Sequence, residues 1–123
     1  MISKVKFATI YVSDQERALA FYRDKLGFKV TTDVTFGAPG QEMRWLELAV
    51  AEGQDTKVVL FKDAEKVGGF SPVVFATDDV EKTYEELSGR GVEYTAKPKQ
   101  ESWGWSSFFK DPDGNIFLVG TDT

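Results

Sequence analysis

The sequence predicts an α+β protein in which one pattern, a strand, a capped helix and three further strands, occurs twice. Three observations lead there. Ser13-x-x-Glu16 and Asp78-x-x-Glu81 are helix-start signatures 65 residues apart, each preceded by an alternating stretch rich in β-formers. Gly27 closes the first helical pattern, and Gly89 and Gly91 close the second. Near the end, Asp111-Pro112-Asp113-Gly114 separates two apolar runs. Pro112 presets φ at the second turn position and Gly114 accepts a positive φ, so these runs read as the strands of a tight antiparallel hairpin.

The elements follow in order. Lys4 to Val12 reads as a strand, and Ala18, Phe21, Tyr22 and Leu26 recur at helical spacing behind the first cap, placing a helix at about 14–26. Phe28 to Phe36, Arg44 to Val50 and Lys57 to Lys62 read as three strands, separated by a Gly37-Ala38-Pro39-Gly40 loop and a turn at Gly53 to Asp55. On the middle one, Leu46, Leu48 and Val50 form one face and Trp45, Glu47 and Ala49 the other; the aliphatic face suits packing under a helix. Val73 to Thr77 restarts the pattern, a helix at about 79–89 presents Val80, Thr83, Tyr84 and Leu87, and Val92 to Ala96 and the hairpin complete eight strands. Trp103 and Trp105, two apart on the first hairpin strand, are expected on one face, either core or binding wall. Each half of about sixty residues is marginal alone, so the expectation is a single domain over 1–123, with one module at about 3–65 and the other at about 70–121, joined by Lys66-Val67-Gly68-Gly69-Phe70.

Composition narrows the chemistry. The chain has no cysteine and no histidine. Disulfides, thiolate nucleophiles and the commonest metal ligand and general base are all missing, leaving carboxylates, Lys, Tyr, Ser, Thr and backbone. Fifteen basic against twenty acidic side chains give a net charge of -5 without a basic run, which argues against nucleic acid and favours a cationic over an anionic small molecule. No membrane-length apolar run and no signal-peptide layout are present, so the expectation is a cytoplasmic protein without a membrane partner.

Val12-Ser13-Asp14 with Phe21-Tyr22 and Leu26-Gly27-Phe28, then Asp79-Val80, Arg90-Gly91-Val92, Trp103-Gly104 and Asp111-Pro112-Asp113-Gly114-Asn115 carry a family resemblance. From about Lys4 to Val119 the chain resembles the vicinal oxygen chelate superfamily, which includes glyoxalase I, extradiol dioxygenases, fosfomycin-resistance enzymes and bleomycin-binding proteins. The resemblance implies paired βαβββ modules, a curved cup-like mixed sheet and a homodimer. The metal enzymes of the superfamily hold a divalent ion in the cup. Carried over by position, those ligands fall on Phe7, on Leu60 or, one residue earlier, Val59, on Pro72 and on Leu118. None has a donor atom, so neither metal nor cofactor is expected.

The same carry-over points Phe7, Thr9, Tyr11, Leu60 and Leu118 into the cup, where Trp45 and Glu47 join them by alternation and Trp103 and Trp105 are candidates. The expected partner is a small organic molecule, cationic or aromatic, bound without chemistry. Two other readings stay open: an enzyme with an atypical site, in which Glu47 is the candidate catalytic base, and a dimeric structural or regulatory module whose cup is filled by its own side chains. Glu47 also has a plain reading as a solvated strand carboxylate beside Arg44, and each tryptophan as core. Asp111 and Asp113 are accounted for by turn preference.

Overall fold

A computed structural model describes residues 1–122. The chain divides into two compact units, Met1–Lys66 and the residues from Val67 on, with the division inside the glycine-bearing linker.

In the first unit β1 (Phe7–Val12) leads into α1 (Gln15–Leu19), which runs on as one π-helical stretch, Ala20–Lys25. The π geometry shows in Leu26 N–H donating to Phe21 O at 3.1 Å, a five-residue step, before Gly27 turns the chain at φ 80°. Strands β2 (Lys29–Phe36), β3 (Met43–Ala49) and β4 (Lys57–Lys62) complete a sheet of order β1-β4-β3-β2. β1 runs parallel to β4 with Thr9 beside Val59 and Tyr11 beside Phe61, and the other pairings are antiparallel. One face is core: Ile10, Val12, Leu46, Leu48, Val58 and Leu60 are buried there, together with Ala18, Phe21 and Tyr22 from the helix.

In the second unit α2 (Val80–Gly89) follows two short strands, β5 (Gly69–Phe70) and β6 (Phe75–Thr77), and precedes β7 (Glu93–Glu101), β8 (Gly104–Lys110) and β9 (Asn115–Thr121). β5 and β6 both pair parallel to β9, and β7, β8 and β9 form an antiparallel meander. The core here is aromatic. Phe75 stacks on Phe109 at 6.2 Å between centroids, Phe109 meets Phe117 at 5.5 Å, and Tyr94 meets Tyr84 of α2 at 4.7 Å.

The α+β class and the repeated order of elements stand, with three corrections. There are nine strands among the described residues, because the expected linker contributes β5. Gly69 has φ 78° and no alternating pattern marks the pair, so only pairing with β9, Phe70 beside Ile116, makes it a strand. β7 runs past Ala96 through Pro98 to Glu101. It is an edge strand, where the missing proline N–H interrupts no essential ladder bond. Finally, both helix caps sit one residue later than the signatures suggest. Asp14 accepts from Arg17 N–H at 3.1 Å and Asp79 from Lys82 N–H at 2.9 Å, each with φ near -140°. The cap is the last extended residue before the helix, and a carboxylate in that place outcompetes the preceding Ser13 or Asp78. Ser13 Oγ instead accepts from the Arg17 guanidinium.

The closing hairpin is held by one carboxylate. Asp111, 4 % exposed, accepts from the backbone N–H of Asp113 and Asn115 and from Asn115 Nδ2 at 2.8 to 3.0 Å. Asn115 Oδ1 in turn accepts from Gly68 N–H at 2.7 Å, so the Asp-Pro-Asp-Gly-Asn run also fixes the start of the second unit.

Candidate ligand faces of the two sheets

In the first unit the pleat puts Phe7, Thr9 and Tyr11 on the face opposite Ile10 and Val12. Strand register then brings Val59 and Phe61 alongside from β4, and Trp45 and Glu47 from β3. The rings form an edge-to-face chain: Phe7 to Trp45 at 5.7 Å, Trp45 to Phe61 at 6.5 Å and Phe61 to Tyr11 at 6.3 Å. Such pairs gain about 0.5–1.5 kcal/mol beyond the area they bury, which favours this ordered array over a collapsed one. Val59, 1 % exposed, lies beneath it, while Thr9 is exposed and the rings are half-buried.

Trp45 Nε1–H donates to Glu47 Oε1 at 2.8 Å. The indole and the carboxylate, two apart on one strand, therefore orient each other, and Glu47 Oε2 has no partner among the described residues. Arg44 is not that partner. It turns to the helix side, where its guanidinium grips Asp33 through two bonds of 2.8 Å and Glu16 through one of 2.7 Å, drawing the Asp33 carboxyl below its ordinary pKa. Gln15 Nε2 donates to both Arg44 O and Leu60 O at 2.9 Å and ties the helix start to β3 and β4.

Leu60 is the first correction among the expected site residues. It pairs with Ile10 and is fully buried on the helix side, so Val59 holds the place on the open face. Phe61 was missed, although Val59 and Phe61 share a parity that the parallel pairing to Tyr11 makes visible.

In the second unit the face away from Phe109 and Phe117 carries Phe108 from β8, Ile116, Leu118 and Gly120 from β9, and Phe70, whose ring meets Phe108 at 5.9 Å. Trp103 lies over Gly120: a Cβ there would stand 3.3 Å from the indole Cζ3. Trp105 lies on the opposite face, bordering a hollow of about 120 Å³ with Thr121 and the start of α2 at Asp78, Asp79, Val80 and Glu81. The two tryptophans do not share a face, which corrects the expectation. β8 begins only at Gly104, whose φ of 143° carries the chain out of its turn, and the pleat rule does not extend across that residue. Gly104 is required there, since a Cβ would sit 2.8 Å from Thr121 Oγ1, the acceptor for Trp105 N–H.

This arrangement has known counterparts. The sequence pattern of the Glyoxalase/Bleomycin resistance protein/Dioxygenase superfamily matches residues 4–119. The chain belongs to that superfamily. The Bacillus subtilis (strain 168) protein YetH is 36% identical over 122 residues, covering 97% of this chain and 98% of its own. Among solved structures, a superfamily member from Sphaerobacter thermophilus DSM 20745 is 34% identical with a TM-score of 0.87, covering 98% of each chain. TnmS3, an antibiotic binding protein from Streptomyces sp. CB03234, is 35% identical with a TM-score of 0.84, covering 99% of this chain and 98% of that one.

The divalent ion held by metal enzymes of the superfamily does not fit the residues present. Phe7, Val59 and Leu118 are hydrocarbon on the sheet faces, and Pro72 is an exposed proline outside any strand. Among the described residues no group of three His, Cys, Asp or Glu side chains is placed to hold a metal. No helix among them is long and apolar enough to cross a membrane.

Proposed function

We propose that the chain is a small-molecule binding protein that takes a planar, cationic organic ligand on the aromatic face of its first module, without metal and without chemical turnover. The observation that carries this reading is the Trp45–Glu47 pair. Its carboxylate is held at a fixed height beside three further rings, and its second oxygen remains available to a cation. A positive group gains from ring faces and from the carboxylate at once, and the flat hydrocarbon around it gains by leaving water. TnmS3, similar over nearly the whole chain, is an antibiotic binding protein, and an antibiotic is a ligand class that suits such a face. Phe7, Thr9, Tyr11 and Phe61 form the wall over Val59 in this proposal, and the protein is a single domain in a cytoplasmic homodimer.

The test is a fluorescence titration. A Trp103→Phe/Trp105→Phe variant leaves Trp45 as the one indole, and its emission is followed as bleomycin or ethidium is added. Saturable quenching is expected, with affinity falling about tenfold in Glu47→Gln because a charge-assisted contact is lost. No saturation with either planar cation, or equal affinity in Glu47→Gln, sinks the reading. Light scattering tests the homodimer: a mass near the single-chain 13.8 kDa at micromolar concentration refutes it.

A further inference from the structure

A cavity of about 430 Å³ lies at one end of the first unit's sheet, bordered by Lys29, Thr31, Ala49, Glu52, Gln54 and Lys57. We propose that it is a binding site for a phosphate group, free or carried as an organic monoester. The inference does not rest on the proposed function: the cavity lies on the same sheet face, with Lys57 beside Phe7 and Ala49 two residues beyond Glu47, but its lining shares no residue with the aromatic wall and its charge is opposite.

Register creates the site. Lys29 pairs with Ala49 and Ala49 with Lys57, so the three residues stand abreast on one face. Neighbouring strands are about 4.8 Å apart, which places the lysine stems roughly 10 Å from each other on either side of a methyl group. Each stem is long enough to bring its ammonium over that small residue, and together they can close on one anion. The volume lies within the about 300–1,000 Å³ that small-molecule sites occupy.

Charge supports the same reading. Lys29 and Lys57, like Lys6, Lys62, Lys82 and Lys97, have no ion-pair partner among the described residues, and of these six only Lys29 and Lys57 border the cavity. In a chain of net charge -5 with twenty carboxylates, two neighbouring lysines left unpaired around a cavity form a local positive field against the overall sign. Glu52 is the sole carboxylate of the lining, so the two lysines outnumber it. A pair of ammonium groups matches the near-dianionic charge of phosphate at pH 7 better than the single charge of a carboxylate.

Amide shifts of the whole chain, followed by NMR during titration with inorganic phosphate against chloride at constant ionic strength, test the site. Saturable shifts centred on 49–57 and Lys29 are expected. Lys29→Gln and Lys57→Gln should each raise the half-saturation concentration about tenfold, the ordinary effect of losing one charge-assisted contact, and Glu52→Gln should lower it. Phenyl phosphate is the second probe. Tighter binding than inorganic phosphate supports an organic monoester, and equal binding supports the free ion. Shifts that rise without saturating or spread over the surface, or a half-saturation unchanged in both lysine variants whose remaining spectrum shows them folded, overturn the proposal.

Discussion

The two modules repeat one order of elements but differ in what their sheets give the helix: the first keeps its sheet's rings on the open face, and the second carries rings on both faces, with Phe70, Phe108 and Trp103 opposite the helix. In the first, the sheet offers aliphatic side chains to its helix, and the rings of Phe7, Tyr11, Trp45 and Phe61 stand on the open face. In the second, Phe75, Tyr94, Phe109 and Phe117 lie on the helix side. The helices account for the difference. The first brings its own rings, Phe21 and Tyr22 at 5.1 Å from each other, and these fill the space above branched aliphatics. α2 brings Val80 as its one buried residue and Tyr84 as its one ring, so the sheet must supply the bulk. Aromatic content is therefore not a marker of a binding face until the helix opposite has been taken into account.

The largest loss of stability is expected in the second module's core. Phe117→Ala, at a fully buried ring under α2, should cost about 3–5 kcal/mol in urea denaturation. Phe61→Ala, at a half-buried ring on the open face, should cost about 1–2 kcal/mol while weakening the proposed ligand. Equal losses at the two positions would remove the distinction between packing rings and binding rings. Next in size is Asp111→Ala, which leaves three donors without their acceptor and should cost about 2–3 kcal/mol, with no effect on ligand affinity in the first module.

The caps, where the modules agree, give smaller effects. Asp14→Ala and Asp79→Ala should each cost about 1 kcal/mol, and Ser13→Ala and Asp78→Ala about 0.3 kcal/mol. The reverse order would restore the caps to the residues one earlier.

Titration separates the modules again. Tyr94 has a buried hydroxyl with no hydrogen-bond partner among the described residues, and burial, with Tyr84 adding, pushes its pKa up to about 12. A raised pKa means that the folded state holds the proton more tightly, so this contribution is present below the ordinary value of 10.0 and is lost as pH rises towards 12. Tyr94→Phe should leave stability at pH 7 unchanged or higher and flatten its decline above pH 10; an unchanged decline would refute the assignment. In the first module Asp33 is shifted the other way, chiefly by its hydrogen bonds to Arg44. Its contribution is present above the ordinary carboxyl pKa of 3.8 and is lost as pH falls through the lowered value. Because both groups reach solvent, Arg44→Met should cost under about 1 kcal/mol at pH 7, and that difference should vanish in acid.

The repeated order of elements, the two helix starts to within one residue, the closing hairpin and the pairing of Trp45 with Glu47 on one strand face were legible in the residues alone. These depend on neighbours within a few positions: an extended residue before a helix, a proline and a glycine at fixed turn positions, alternation along a regular strand. Long-range pairing, by contrast, makes β5 a strand, turns Val59 and Phe61 rather than Leu60 to the open face, parts Trp103 from Trp105 at Gly104, and sets Lys29 and Lys57 on either side of one alanine. Each of these is set by strand register or by a turn that breaks the pleat. Register is decided by which partner strand completes the hydrogen bonds and which face the helix buries, and the residues that decide it lie tens of positions away along the chain.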